Sequence, residues 1–305
     1  MGKVAILGVF VADTAYRAAR QPRMGETILG KSFVLGPGGK GSNQSVAAAM
    51  AGATTHFISR LGKDPFADMA LATWKRAGVT PVITQDPDSY TGAAYIFIED
   101  ATGNNAIIIS PGAAAEISRA DVDANRAVIE AADVFITQLE QPIPVAVHAL
   151  GLARRAGVTT ILNPAPAAAL PEGMLALCDY VTPNESEAEA LTGLPVGSVA
   201  EAEAAAVALR GLGAKAAIVT LGDKGALFHD GNRTVHVPPF RAGRVVETTG
   251  AGDAFNGGFA AALAEGMDPV AAVRFGSATA GISVTRPGTA PSMPSRAEIE
   301  ALLAR

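Results

Sequence analysis

A chain of 305 residues that is 49% hydrophobic and 17% charged is globular and long enough to bury a large α/β core, which sets aside disordered and fibrous classes. Its net charge of −5 leaves no domain-wide basic surface to displace phosphate counterions, so no nucleic-acid partner is expected. The single Cys178 excludes an intrachain disulfide and suits a reducing, cytoplasmic compartment, and no apolar run approaches the length of a bilayer span.

The apolar, β-branched run Val4–Val11 ends at Asp13 without a small-x-small cleavage site and is read as a buried first strand. Asp13–Leu35 breaks the pattern: it is polar, contains Pro22 and Gly25, and offers Thr27–Leu35 as an extended piece. The glycine turn Gly36-Pro-Gly-Gly-Lys-Gly-Ser42 leads into a helix over Asn43–Ala51, followed by a strand at Thr54–Leu61, a helix at Phe66–Ala77 and a strand at Val82–Thr84. Gly92–Glu99 and Asn105–Ser110 flank Thr102-Gly-Asn104 as a hairpin. The two insertions, about 13–35 and 90–110, are expected to pair into a small sheet that closes over a site as a lid.

From Ser118 the alternation is regular. Ser118 with Asp121 caps a helix to Ala131, Val134–Thr137 is a strand, Pro144–Ala156 a helix and Val158–Leu162 a strand. After Asn163-Pro-Ala-Pro166 and Tyr180-Val-Thr182, helices are expected over Asn184–Leu191 and Val199–Leu212, and a buried strand over Ala216–Leu221. Two short strands surround Gly231. Asp268-Pro269 opens a helix, and Ser295 with Glu298 caps the last one. Strands alternating with helices predict an α/β fold, a mainly parallel central sheet flanked by helices on both faces, and no linker divides residues 1–305 into separate domains.

The stretch Glu247-Thr-Thr-Gly-Ala-Gly-Asp-Ala-Phe-Asn-Gly-Gly258, after the apolar pair Val245-Val246, reads as strand, glycine turn, helix. Gly250 and Gly252 let several backbone N–H groups converge, and with the positive end of the following helix they make an anion site. Asp253 places a carboxylate beside that anion: locally it suits a helix cap as well as a proton acceptor near phosphate. Commoner motifs do not fit. Val34 stands where a Walker loop needs glycine and Lys40 is followed by Gly41; Phe255 replaces the third glycine of a dinucleotide fingerprint. The four histidines show no metal-ligand spacing, and no serine nucleophile elbow is present.

Gly38-Gly-Lys-Gly-Ser-Asn43 and Thr248-Thr-Gly-Ala-Gly-Asp-Ala-Phe-Asn256 resemble the two signatures of the ribokinase family of carbohydrate and nucleoside kinases, within the phosphofructokinase B superfamily. The resemblance covers essentially the whole chain. Gln138-Leu-Glu140, Leu162-Asn-Pro-Ala-Pro166, Thr182-Pro-Asn-Glu-Ser-Glu187, Thr220-Leu-Gly222 and Val284-Thr-Arg-Pro-Gly288 are similar to its ribokinase branch in particular.

The resemblance implies a ribokinase-like fold and an ATP-dependent kinase acting on the primary (O5) hydroxyl of ribose or a related pentose. It implies Asp253 as general base, with the amides of Gly250, Ala251 and Gly252 as an anion hole. Asp13, Gly39, Lys40, Asn43 and Glu140, with Asp253, match the sugar-contacting positions. Asn184, Thr220, Gly222, Gly225, Gly252 and Ser277 match the nucleotide side, and Asn184 with Glu187, whose spacing puts both on one helical face, the Mg²⁺-associated pair. Glu247, Thr249, Ser283, Arg286, Gly288 and Ser292 match a monovalent-cation site, with K⁺ as activator. Locally, an exposed polar helix start accounts for Asn184 and Glu187, an ordinary strand-to-turn transition for Thr220–Gly225, a solvated carboxylate for Asp13 and a surface charge for Lys40. Two positions depart from the pattern: Val11 stands where ribokinases usually carry Asn, which opens the way to a deoxypentose, another sugar or a nucleoside, and Glu247 stands where they carry Asp. A sugar-binding protein without turnover is the reading from another class. A homodimer through the lid is also implied.

Overall fold

In the computed structural model, which describes residues 1–305, the run Lys3–Leu7 forms β1, and alternate side chains part to two buried layers: Val4 and Ile6 to one, Ala5 and Leu7 to the other. A strand apolar on both faces belongs inside a sheet covered by helices on both sides. The expected strand Val4–Val11 is in fact two. At Gly8 a Cβ would meet the Gly41 Cα at 2.8 Å, and the chain crosses there into β2 (Val11–Ala18), which pairs antiparallel with β3 (Ser32–Gly38). The extended piece expected over Thr27–Leu35 therefore becomes strand only from Ser32, and β2 runs from the end of the expected first strand into the insertion expected to join the small sheet.

Next come α1 (Lys40–Met50), β4 (Thr54–Leu61), α2 (Pro65–Ala77) and β5 (Thr80–Gln85). The Asp64 side chain caps α2 by accepting from Ala67 N at 2.9 Å, and Gly78 ends it in the left-handed conformation. The hairpin is β6 (Thr91–Glu99) with β7 (Asn105–Gly112); β6 also pairs parallel with β2, so the two insertions meet in one four-stranded sheet of order β3-β2-β6-β7.

The helix expected to run to Ala131 is split into α3 (Arg119–Ala124) and α4 (Arg126–Glu130), because Asn125 turns its side chain back to the Asp121 carbonyl at 2.8 Å and satisfies that group outside the helical ladder. Then follow β8 (Val134–Thr137), α5 (Ile143–Arg155), β9 (Thr159–Leu162), β10 (Tyr180–Val181), α6 (Glu185–Thr192), α7 (Val199–Gly211), β11 (Ala216–Thr220), β12 (Ala226–His229) and β13 (Thr234–Val237). Helices α8 (Ala251–Ala264), α9 (Pro269–Ser283) and α10 (Arg296–Leu303) complete the chain. No strand precedes α8: Val245 and Val246 are exposed, and Val246 N and Glu247 N both reach the single carbonyl of Val284. With no neighbouring strand to pair with, the apolar pair stays a loop.

The large sheet has nine strands in the order β13-β12-β11-β10-β9-β8-β1-β4-β5, all parallel except β12, which pairs antiparallel with both β11 and β13. One face packs on α1, α2, α8, α9 and α10 around Trp74, Phe57 and Phe259; the other packs on α3 to α7 around Phe135, Leu150 and Leu209. No helix is long and apolar enough to cross a membrane.

Candidate active site

Strand order reverses at β1, with β4 on one side and β8 on the other, and in parallel sheets the crevice at such a reversal lies beyond the carboxyl ends of the strands. Polar residues leave three of those ends, Gln138 after β8, Asn163 after β9 and Thr182 after β10, and Leu221-Gly222 follow β11. Two helices begin at the same edge. Gly39, at φ 87°, caps α1, where a Cβ would meet Val9 O at 2.5 Å; Gly250, at φ 80°, caps α8. The helices run side by side in the same direction, Asn43 beside Asp253 and, one turn on, Ala47 beside Gly257.

Asp253 is buried in the first turn of α8. Its Oδ2 accepts from Asn43 Nδ2 at 3.0 Å and its Oδ1 from Gln44 Nε2 at 3.1 Å. Burial lifts its carboxyl above the ordinary range, opposed by the charge of Lys40 and by the two amide donors. Asp13 is pushed up to about 6 by burial and then by the charge of Asp253. Its carboxylate fills the space beside Gly38, where a Cβ would come within 2.4 Å of it. Glu140 is pushed up to about 7, chiefly by burial, against the Lys40 charge and the Lys40 N–H, which donates to its Oε2 at 2.8 Å. The structure thus brings Asp13, Gly39, Lys40, Asn43, Glu140 and Asp253 into one cleft. Three carboxyls short of solvent, with the buried Asn43 Oδ1 lacking a protein partner, suit a ligand that brings several hydroxyl donors.

That crowding has a measurable cost. The Glu140 carboxyl, at about 7 in the folded chain, lies above its ordinary 4.5. Between those values the folded chain holds a proton that the unfolded chain has released, so the stability this group contributes falls as pH rises through the window. Glu140→Gln, whose amide oxygen still accepts from Lys40 N, should be more stable than the parent by about 1–2 kcal/mol at pH 8 and equal to it near pH 4. Thermal unfolding of both proteins across that range checks this; a constant difference at every pH would mean that Glu140 is not perturbed.

A second cavity, of about 590 Å³, lies on the other side of the α8 N-terminus and is lined by Asn184, Thr220, Gly222, Gly225, Gly252 and Ser277 together with Ala251. Ser277 Oγ is buried without a protein partner. The apolar wall of this cavity was not anticipated: Phe240, Ala242, Val245, Ala280 and Val284 supply it. Phe240 fits because position 281 is glycine, where a Cβ would meet Phe240 O at 2.3 Å, and the Arg274 guanidinium lies 5.3 Å from its ring centre. An aperiodic loop, 238–248, carries much of this wall, so no hydrophobic period marked it. A polar, glycine-lined end beside a flat apolar end suits a phosphorylated ligand with an aromatic base.

Asn184 and Glu187 do not share a helical face as expected. Asn184 is the cap of α6: its Oδ1 accepts from Glu187 N, and Glu187 Oε2 accepts from Asn184 N, both at 2.9 Å. Burial raises the Glu187 carboxyl, opposed by that N–H and by Lys40. Asn184 Oδ1 also accepts from Ser186 Oγ at 2.9 Å, which leaves Glu187 Oε1 as the uncommitted oxygen of the pair. Glu247 Oε2 accepts from Gly288 N at 2.8 Å, and Thr289 Oγ1 donates to Pro37 O at 2.8 Å, which ties the 284–292 loop to the end of β3. Ser283 and Ser292 bond to carbonyls of their own turns, the Arg286 guanidinium pairs with Glu298, and Thr249 is exposed. No three His, Cys, Asp or Glu side chains are arranged to hold a metal ion, so a cation near Glu247 would rest on one carboxylate and backbone carbonyls, the donor set of a weakly charged monovalent ion.

Comparison with known proteins bears on this geometry. The sequence pattern of the pfkB family carbohydrate kinases matches residues 1–296. The bifunctional ribokinase/ribose-5-phosphate isomerase A of Fructilactobacillus sanfranciscensis is 38% identical over 303 residues, which are 98% of this chain and 56% of that longer protein. A deoxyribokinase of Salmonella typhi is 36% identical over 294 residues, 96% of this chain and 95% of that one. The structure of Arabidopsis thaliana ribokinase complexed with ribose and ATP superposes with a TM-score of 0.91 at 30% identity, covering 100% of both chains.

Proposed function

The chain belongs to the pfkB family of carbohydrate kinases, a ribokinase-type sugar kinase, and from that premise we propose that it moves the γ-phosphoryl group of ATP to the O5 hydroxyl of ribose or a related pentose. The observation that carries this is the position of Asp253, buried between a cleft of hydroxyl-seeking groups and a glycine turn that borders the nucleotide-sized cavity. Asp253 takes the proton as the sugar oxygen attacks phosphorus: the O5–P bond forms, the bond from the γ-phosphorus to ADP breaks, and the proton stays on the carboxylate. The uncommitted amides of Gly250 and Gly252, at the positive end of α8, would meet the charge that builds on the moving group; Ala251 N donates to Thr248 O at 3.1 Å and would join them only by releasing it, and Lys40 adds a full positive charge on the sugar side. Asn184 and Glu187 would hold Mg²⁺ and its waters, which neutralises phosphate charge; the Glu247 loop would hold K⁺, which fixes the turn that precedes α8.

The choice of pentose falls on Val11. Val11 and Asp13 stand two apart on β2 and so share a face of the small sheet; Val11 is buried against Gly92. An apolar side chain there cannot bond a hydroxyl and does not penalise its absence, in keeping with a deoxyribokinase among the relatives. Purified protein offered ATP–Mg²⁺ with ribose, 2-deoxyribose, fructose and nucleosides, with and without K⁺, tests the reading. Phosphorylation of nucleosides but of no free sugar would overturn the substrate class, and no turnover on any would favour a binding protein. In the same panel Val11→Asn should raise the preference for ribose over 2-deoxyribose by about ten-fold. An unchanged ranking would mean that this side chain does not touch the sugar.

The small sheet stands over the cleft as a lid and exposes Phe33, Val34, Leu35, Ile107, Ile108 and Ile109. Alternation puts Phe33, Leu35 and Ile108 on one face and Val34, Ile107 and Ile109 on the other, the face of Asp13. Two such sheets packed about a two-fold axis would cover one of these sets, which supports a homodimer. A buried lone thiol suits a cytoplasmic enzyme.

A further inference from the structure

Asn43 alone does not hold Asp253. Gln44 Nε2 donates one hydrogen to Asp253 Oδ1 at 3.1 Å and the other to Asn163 Oδ1 at 3.0 Å, while Gln44 Oε1 accepts from Gln138 Nε2 at 2.6 Å. Both glutamines are fully buried, so their partners must come from the protein. An ionised carboxylate only accepts. It therefore turns the Gln44 nitrogen towards itself, which leaves the Gln44 oxygen facing Gln138 and requires Gln138 to answer with its nitrogen. One charge orients the whole relay.

The relay continues beyond Asn163. Asn163 Nδ2 donates to Thr182 O at 3.1 Å, Thr182 Oγ1 to Asn256 Oδ1 at 2.6 Å, and Asn256 Nδ2 to Gly252 O at 2.9 Å. Gln138, Asn163 and Thr182 leave the ends of β8, β9 and β10, so the sheet itself anchors it. Packing does not explain the glutamine at 138. Its Oε1 is buried without a partner, and it fits only because positions 8 and 41 are glycine, where a Cβ would approach that oxygen to 2.5 and 2.9 Å. An apolar side chain of similar length would fill the slot without an unmet acceptor.

We propose that Gln44, held by Gln138, is a positioning residue for Asp253: it aims the carboxylate at the sugar hydroxyl and, through Asn163, Thr182 and Asn256, ties it to the glycine turn. This rests on the reading of Asp253 as the base. Besides the amides of Asn43 and Gln44, the Lys40 charge from α1 acts on Asp253, and the Asp253 charge acts in turn on Asp13 from β2, Glu140 after β8 and Glu187 from α6; these charged groups all remain in the variants below.

The test uses the full chain with ATP–Mg²⁺ and whichever sugar it turns over. Gln44→Met keeps the length and removes both donors. It should lower kcat by about ten-fold with the sugar KM within about three-fold, and move the acid limb of the kcat profile to higher pH by about one unit, since a donor that favoured the ionised base is gone. Gln138→Met leaves both donors on Asp253 and should lower kcat by about three-fold; in a Gln44→Met background it should add nothing. It also serves as the second variant should Gln44→Met fold poorly. Asp253→Asn separates the two ideas. If it turns over normally, the base reading and the proposal resting on it both fall; if it is inactive while Gln44→Met keeps the parent kcat and acid limb, the base stands and the positioning role is overturned. A Gln138→Met loss that adds in full to that of Gln44→Met also overturns the relay.

Discussion

Asp253→Asn lowers kcat by about 10²–10⁴ while the affinity for ATP changes by no more than about three-fold. The side chain that replaces the carboxylate has the same shape, so α8 and its glycine cap need not move. What changes is chemistry. An amide has no lone pair basic enough to take the hydroxyl proton, and it offers an NH₂ group to a pocket in which Asn43 Nδ2 and Gln44 Nε2 already donate at 3.0 and 3.1 Å. One of those donors must then lose its partner, so part of the loss reflects misplacement. The pH profile separates the two contributions. Burial holds the Asp253 carboxyl above the ordinary carboxylate range, so the parent kcat should fall on the acid side as this group takes up a proton. In the variant, residual turnover should lose that limb. An acid limb that persists unchanged would assign it to another group, Asp13 at about 6 or Glu140 at about 7 being the nearest.

Local pattern went furthest where one stretch of chain decides its own structure. Thr54–Leu61 is a strand because its β-branched and aromatic residues Thr54, Thr55, Phe57 and Ile58 favour extended backbone, and the Ser118–Asp121 and Ser295–Glu298 boxes close as their spacing requires. Asp253 lands in the first turn of α8 because Gly250 ends the loop in a left-handed conformation. Elsewhere the outcome depended on remote partners. β2 has little strand signal of its own, because the face that carries Asp13 also carries Val11, Ala15 and Arg17 and its pairing comes from β3 and β6. Val245 and Val246 look like a strand but meet only one carbonyl. The Gln44 relay was invisible for the same reason: Gln44 and Asp253 lie 209 positions apart, and nothing local distinguishes Gln44 from an ordinary helical glutamine. Asn184 was misplaced by a single position, from helix to cap, which altered what its side chain faces.

Gly257→Ala should be as damaging as many changes within the cleft, although helix propensity argues the opposite. In a helix interior alanine is favoured over glycine by about 0.5–1 kcal/mol. At Gly211, near the end of α7, a Cβ meets nothing within 4 Å, and Gly211→Ala should realise part of that gain. At Gly257 a Cβ would meet Ala47 Cβ at 2.4 Å, Gln44 O at 2.6 Å and Ala48 N at 2.8 Å. Two of the three are backbone atoms and none can swing aside, so α1 and α8 must part by about 1 Å to restore normal contact. The core would give up about 1–3 kcal/mol. Turnover should suffer beyond that, because Asn43 and Gln44 ride on α1 and Asp253 on α8, one turn from the point of contact. Displacing a base by about 1 Å costs on the order of 10² in rate, so kcat at a temperature where the variant is fully folded should fall by about that factor. The pair of alanine variants makes the test internal: Gly211→Ala with raised stability and parent kcat, Gly257→Ala with both reduced. A Gly257→Ala protein as stable and active as the parent would show that the spacing between α1 and α8 does not set the geometry of the base.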